Sequence, residues 1–124
     1  MTMKSDRLDT AEPVSLQAAT ALFHSLSDAT RLAILRRLAL GEARVVELTT
    51  ELGLAQSTVS AHLGCLRDCG LVDYRPQGRA SVYRLTRVEL LDLFRAAEAV
   101  LEATGSAVAL CPNYGHPGAG EAAG

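Results

Sequence analysis

Apolar residues recur at three- and four-residue steps along most of the chain and change to alternation only once, between positions 71 and 85. Pro13 opens the first helical stretch, where Val14, Ala18, Ala21, Leu22, Ser25 and Leu26 predict a helix over about 13–26. Ser27 or Asp28 can cap a second helix, whose apolar face is Leu32, Ile34, Leu35, Leu38 and Leu40 and which stops at Gly41. A third helix is predicted over about 45–52, with Val45, Val46, Leu48 and Leu52 inward and Gly53 as its stop. Leu54-Ala55 then form a tight turn into a fourth helix from Gln56 to Asp68, begun by Ser57 or a polar neighbour and closed by Gly70. Leu71, Val72, Tyr74 and then Val82, Tyr83, Leu85 flank the turn-forming stretch Pro76–Arg79, which is a hairpin pattern. Leu90, Leu91, Phe94, Ala97, Val100 and Leu101 mark a last helix over about 88–103.

The fold class that follows is mainly α with a small β-hairpin. Two short helices joined by a Gly-containing turn, the second running directly into a hairpin, have the order of a winged helix-turn-helix. So small a domain cannot easily cover both terminal helices. Their surplus apolar surface, Phe23 and Phe94 included, predicts a homodimer formed by the N- and C-terminal helices, the alternative being a monomer that buries both in its own core. The expected organisation is a flexible N-terminus over 1–12, the winged domain over 13–104, and a flexible Gly-, Ala- and Pro-rich tail over 105–124.

Length and charge narrow the function classes. A chain of 124 residues holds one core, and no apolar run approaches the roughly 20 residues of a spanning helix, so no membrane partner is expected. Positions 1–10 mix Lys4, Asp6, Arg7 and Asp9 without an apolar segment, which predicts a cytoplasmic protein with reduced cysteines. The net charge of -2 conceals an asymmetry: residues 28–87 hold nine Arg against six Asp or Glu, whereas residues 88–124 hold one Arg against five acids. Arg75, Arg79, Arg84 and Arg87 gather at the hairpin, a pattern suited to the phosphates of double-stranded DNA. In the helix before it, Gln56, Ser57, Thr58, Ser60 and His62 offer polar groups to base edges, while Val59, Leu63 and Leu66 have the spacing of a buried root. There is no Gly-rich phosphate loop, nucleophile elbow or paired-carboxylate cleft, so no enzyme is expected.

Three cysteines carry the remaining chemistry. Cys65 and Cys69 stand four apart on the fourth helix, which puts their Cβ atoms about 5–6 Å apart on one face. A disulfide would distort that helix. The negative end of the helix opposes a bare thiolate, and a bound soft cation reverses the balance. Cys111, seven residues beyond Thr104, supplies a third sulfur that extended chain carries at most roughly 25 Å, far enough to reach a neighbouring subunit. Three thiolates suit Cd(II), Pb(II) or As(III), and His116 could add a fourth ligand to a Zn(II) or Cd(II) site. The alternatives are small buried hydrophobes with an incidental tail thiol, or a redox switch in which Cys111 reaches Cys65 or Cys69. His24 is expected in an interface or core, and His62 either at DNA or in a packing contact.

Leu26-Ser27-Asp28-Ala29-Thr30-Arg31-Leu32-Ala33-Ile34-Leu35 resembles the opening signature of the ArsR/SmtB family of metal-responsive repressors. Ser57-Thr58-Val59-Ser60-Ala61-His62-Leu63, with Leu66-Arg67 and Cys69-Gly70-Leu71-Val72, resembles that family's recognition helix, and the likeness covers roughly residues 16–103. It implies a homodimer that binds a palindromic operator and leaves it when an inducer binds. The stretch His62–Leu71, with its two cysteines, is similar to the metal-binding helix of the family's Cd(II)/Pb(II)-sensing branch, in which a tail cysteine of the other subunit is the third ligand. Cys111 has that role by resemblance. Sites of other branches are missing, because Val45-Val46-Glu47-Leu48 has no cysteine and no histidine stands near Asp92, Glu98 and Glu102.

Overall fold

The computed structural model describes residues 16–110. Helix α1 occupies 16–25, followed by α2 (Ala29–Leu38), β1 (Ala43–Arg44), α3 (Val45–Leu52), α4 (Gln56–Asp68), β2 (Val72–Gln77), β3 (Ala80–Leu85) and α5 (Glu89–Ala103). The architecture is a winged helix-turn-helix with a three-stranded antiparallel sheet in the order β1-β3-β2. No helix among the described residues is long and apolar enough to cross a membrane.

Local chemistry explains most of the boundaries. Of the two candidate caps, Asp28 takes the role: its backbone is extended and its carboxylate accepts the Arg31 N–H at 3.0 Å. Ser27 instead donates to His24 O at 2.8 Å and ends α1. In α3, Glu47 reaches back to the Arg44 N–H at 2.7 Å, which holds its carboxyl below the usual range. Helix α4 ends in a Schellman turn: Leu71 N–H bonds Leu66 O, Gly70 N–H bonds Arg67 O, and Gly70 lies at φ 78°. Cys69 is therefore the C-cap residue of α4.

Val59, Leu63 and Leu66 of α4 are fully buried against Ile34, Leu35 and Leu48, so the helix is rooted as its spacing predicts. Burying such side chains contributes roughly 1.5–3 kcal/mol each, which makes this contact the centre of the domain. The hairpin packs behind it. Tyr74 lies opposite Tyr83 with ring centroids 5.3 Å apart, and the Arg67 guanidinium sits 4.5 Å over the Tyr74 ring, joining α4 to the sheet. Burial pushes the Tyr83 phenol above its ordinary value.

Several expectations need correction. Phe94 is 2% exposed and belongs to the core, whereas Phe23 is 57% exposed. Helix α4 starts after Ala55 with no side-chain cap, and Ser57 lies inside its first turn. Val46 and Leu40 point outward rather than in, Leu40 because the chain has already left α2. Pro76 is a strand residue opposite Ser81, tolerated because β2 is an edge strand. The turn is only Gly78-Arg79, with Gly78 at φ 67° as the first central residue of a mirror-type turn requires. Beyond α5, residues 106–110 lie back on the domain: Leu110 N–H donates to the buried Glu98 carboxylate, and Arg36 donates to Ala109 O at 3.1 Å.

Candidate functional site

The exposed face of the domain gathers most of the residues expected at DNA. Gln56, Ser57 and Ser60 are exposed on the first turns of α4, and Thr58 is half-buried. Because no side chain caps this helix start, its first N–H groups are open to a phosphate or to water. His62 is held further in. Its Nδ1 lies 3.3 Å from Arg31 Nη1 and its Nε2 3.8 Å from the Asp28 carboxylate. The Asp28 carboxyl is held below its ordinary value first by the Arg31 backbone N–H, with burial opposing it, and then by the charges of His62 and Arg31.

The wing arginines divide into two kinds. Arg75 is paired with Glu42 at 2.7 Å, so part of its charge is spent within the protein. Arg79 at the hairpin tip and Arg84 on β3 are exposed and form no ion pair among the described residues, as is also true of Arg87. Of the four arginines expected at phosphates, Arg79, Arg84 and Arg87 therefore keep their charge unpaired within the described residues. The Glu42 partner was not legible from the sequence, since the two residues stand 33 positions apart.

Cys65 and Cys69 are free thiols on one face of α4, half-buried and exposed respectively. Both open into a cavity of about 530 Å³ whose other wall is α1, contributing Leu16, Gln17, Thr20, Ala21, His24 and Ser25. The chemistry of this donor set fits part of a soft-metal site: two sulfurs on adjacent turns, accessible through an open cleft. It is incomplete by itself. No group of three His, Cys, Asp or Glu residues stands close enough to hold an ion among the described residues, so His24 lines the cavity without joining the pair. Cys111 and His116 lie outside the described residues.

Ser25 is the residue that sequence reasoning placed only in an apolar pattern. It is 3% exposed, its Oγ donates to Ala21 O at 3.1 Å, and it lies 2.8 Å from Cys69 Sγ. The available signal was a hydroxyl at an inward position of α1, because a buried hydroxyl needs a partner.

Comparison with known proteins agrees with this geometry. A probable mercury resistance operon repressor of Streptomyces lividans is 35% identical over 99 residues, which is 80% of this chain and 78% of that protein. The HTH-type transcriptional regulator CmtR of Mycobacterium tuberculosis is 44% identical over 68 residues, 55% of this chain and 58% of CmtR. Among solved structures, a homodimeric winged helix-turn-helix DNA-binding domain from Mycobacterium bovis superposes with a TM-score of 0.68 at 30% identity, covering 74% of this chain and 85% of that one. Residues 28–74 match the profile described as "Bacterial regulatory protein, arsR family". With α2, α3, α4 and the start of the wing all inside that match, the chain belongs to the arsR family of bacterial regulatory proteins.

Proposed function

We propose that the protein is a cytoplasmic, homodimeric transcriptional repressor that leaves its operator when Cys65, Cys69 and Cys111 take up a soft metal ion. The observation that carries the sensing half is the shared cavity: both thiols of α4 face one open cleft rather than opposite sides or sealed hydrocarbon. Gln56, Ser57, Thr58 and Ser60 of α4 face base edges in the major groove, with His62 bracing the helix from behind, and Arg79 and Arg84 hold the flanking phosphates while Arg75 contributes less. Leu16 and Phe23 of α1 and Val100 of α5, each more than half exposed, supply apolar surface for a partner protomer. The homodimeric Mycobacterium bovis domain supports this assembly.

A soft cation supplies charge that makes two thiolates at a helix C-terminus favourable. Cys65 and Cys69 sit on the same element as the reading residues, so any change of their spacing is felt in α4. Cd(II) or Pb(II) follows from the likeness of the cysteine pair to the cadmium- and lead-sensing branch. The Streptomyces lividans repressor adds Hg(II) as a competitor, with As(III) and Zn(II) as further candidates.

Titration of a labelled operator complex with Cd(II), Pb(II), Hg(II), As(III) and Zn(II), with the thiolate-to-metal absorption band followed in parallel, tests the proposal. The expected result is a band and a 5–150-fold loss of operator affinity, the usual range of such coupling. Cys65→Ser and Cys69→Ser should each keep operator binding and abolish the response. Absence of both the band and release for every ion would reject metal sensing, and release by peroxide alone would favour the thiol-redox alternative.

A further inference from the structure

Three features of the fold converge on one residue at the end of α1. The Ser25 side chain touches Cys69, its carbonyl accepts from Arg31 Nε at 2.6 Å, and the same guanidinium reaches His24 O at 3.1 Å and His62 Nδ1 at 3.3 Å. The last turn of α1 is therefore fastened to α4 twice, once at Cys69 and once through Arg31 to His62 in the middle of that helix. Cys65 lies between these two fastenings and Cys69 is itself one of them, with the reading residues on the N-terminal side.

The hydrogen count at Ser25 is restrictive. A hydroxyl has one proton to give, and Ser25 gives it to Ala21 O, a group that can only accept. With that proton directed to Ala21 O, the 2.8 Å contact to Cys69, which allows either atom as donor, has the thiol giving S–H to Oγ. A sulfur bound to a cation cannot fill that role, because its proton leaves to solvent as the sulfur–metal bond forms. Oγ, on a residue only 3% exposed, would then face a second acceptor on the exposed Cys69, unless the hydroxyl turns and donates to sulfur instead. Turning removes the bond to Ala21 O. A serine bonded back to the carbonyl four residues earlier bends its helix slightly, so its release alters the last turn of α1.

We infer that the Ser25 hydroxyl is a positioning residue that passes occupancy of the Cys65/Cys69 pair to α1, by exchanging its donor bond between Ala21 O and Cys69 Sγ. This rests on the proposed metal response and adds to it the route by which one helix informs another. Helix α1 carries Leu16 and Phe23, the exposed apolar residues assigned above to the partner protomer, so a change in its last turn acts on the relative placement of the two reading helices.

The test uses the full-length protein with Cd(II) as probe. Wild type, Ser25→Ala and Ser25→Thr are compared for the absorption band, for operator affinity with and without Cd(II), and for Cd(II)-induced amide shifts at Ala21–Ser25 by NMR. Ser25→Ala should keep the band and hold metal-free operator affinity within about twofold, yet lose at least about fivefold of the wild-type ratio between metal-free and Cd(II)-loaded affinities, out of the 5–150 typical of such coupling. Its amide shifts at 21–25 should collapse, and Ser25→Thr, which keeps the hydroxyl, should restore both. A Ser25→Ala protein with the band, the wild-type ratio and the wild-type shifts would overturn the relay and leave metal sensing standing. Loss of the band in Ser25→Ala would overturn it too, by making Ser25 part of the binding site. No band in wild type rejects metal sensing itself, and the relay with it.

Discussion

Helices α1 and α5 flank the same domain and present similar apolar periodicity, yet they are held in opposite ways. α5 buries Leu90, Phe94 and Glu98 in its own core, and its buried carboxylate also secures the segment that follows it. In the described part of α1 only Ser25 is buried, Leu22 and, just past its end, Leu26 are partly covered, and Phe23 stands out in solvent. One helix is part of the fold. The other is held by two partly covered leucines and by the hydrogen bonds of its last turn.

The sharpest way to break this contrast is to truncate the two phenylalanines. Phe94→Ala should cost about 3–5 kcal/mol of unfolding free energy, read from urea melts at fixed protein concentration. If the loss were under 1 kcal/mol, α5 would not be the structural helix described here. Next in size, Glu98→Ala removes the acceptor of the Leu110 N–H and should cost about 1–3 kcal/mol, with faster hydrogen exchange at the Leu110 amide. Phe23→Ser should leave the folded protomer within about 0.5 kcal/mol of wild type while raising the dimer dissociation constant roughly tenfold in sedimentation. An unchanged dimer would place the partner elsewhere.

The smallest effect concerns acid. The Asp28 carboxyl, which caps α2 directly after α1, has its folded value lowered from 3.8 chiefly by the Arg31 N–H. A depressed carboxyl contributes stability that is present above 3.8 and disappears as pH falls through the lower folded value. Amide protection in the first turn of α2 should therefore decline below that pH in wild type, and Asp28→Asn, which can still cap, should lack that dependence. Equal declines in both proteins would assign the effect to another group, Glu47 being the first to test.

How much of this was readable follows from which contacts are local. Val59, Leu63 and Leu66 repeat with the pitch of α4, and all three are fully buried. The four-residue step between Cys65 and Cys69 likewise puts both on one face of the helix. Periodicity gives a helix an apolar side but does not say whose atoms cover it, which is why Phe94 and Phe23 looked alike. Nor does it reach Ser25 and Cys69, 44 positions apart, or Arg75 and Glu42. The cap of α4 misled for a related reason: Ser and Thr favour helix starts in general, but here the chain enters from Ala55 and keeps Ser57 and Thr58 inside the first turn.

Strand β1 is two residues long, too short to show any alternation, and it connects parts that act together. Ala43 and Arg44 pair with Tyr83 and Val82 of β3, and the next residue, Val45, begins α3. Backbone hydrogen bonds thereby rivet the hairpin to the threshold of the helix-turn-helix. The arginine tip is tied through β1 to α3, the helix that packs against α4. On the proposed function, two such units gripping one duplex would be tuned by the gauge between them, and a ligand that shifts that gauge by a fraction of a helical turn would loosen both at once.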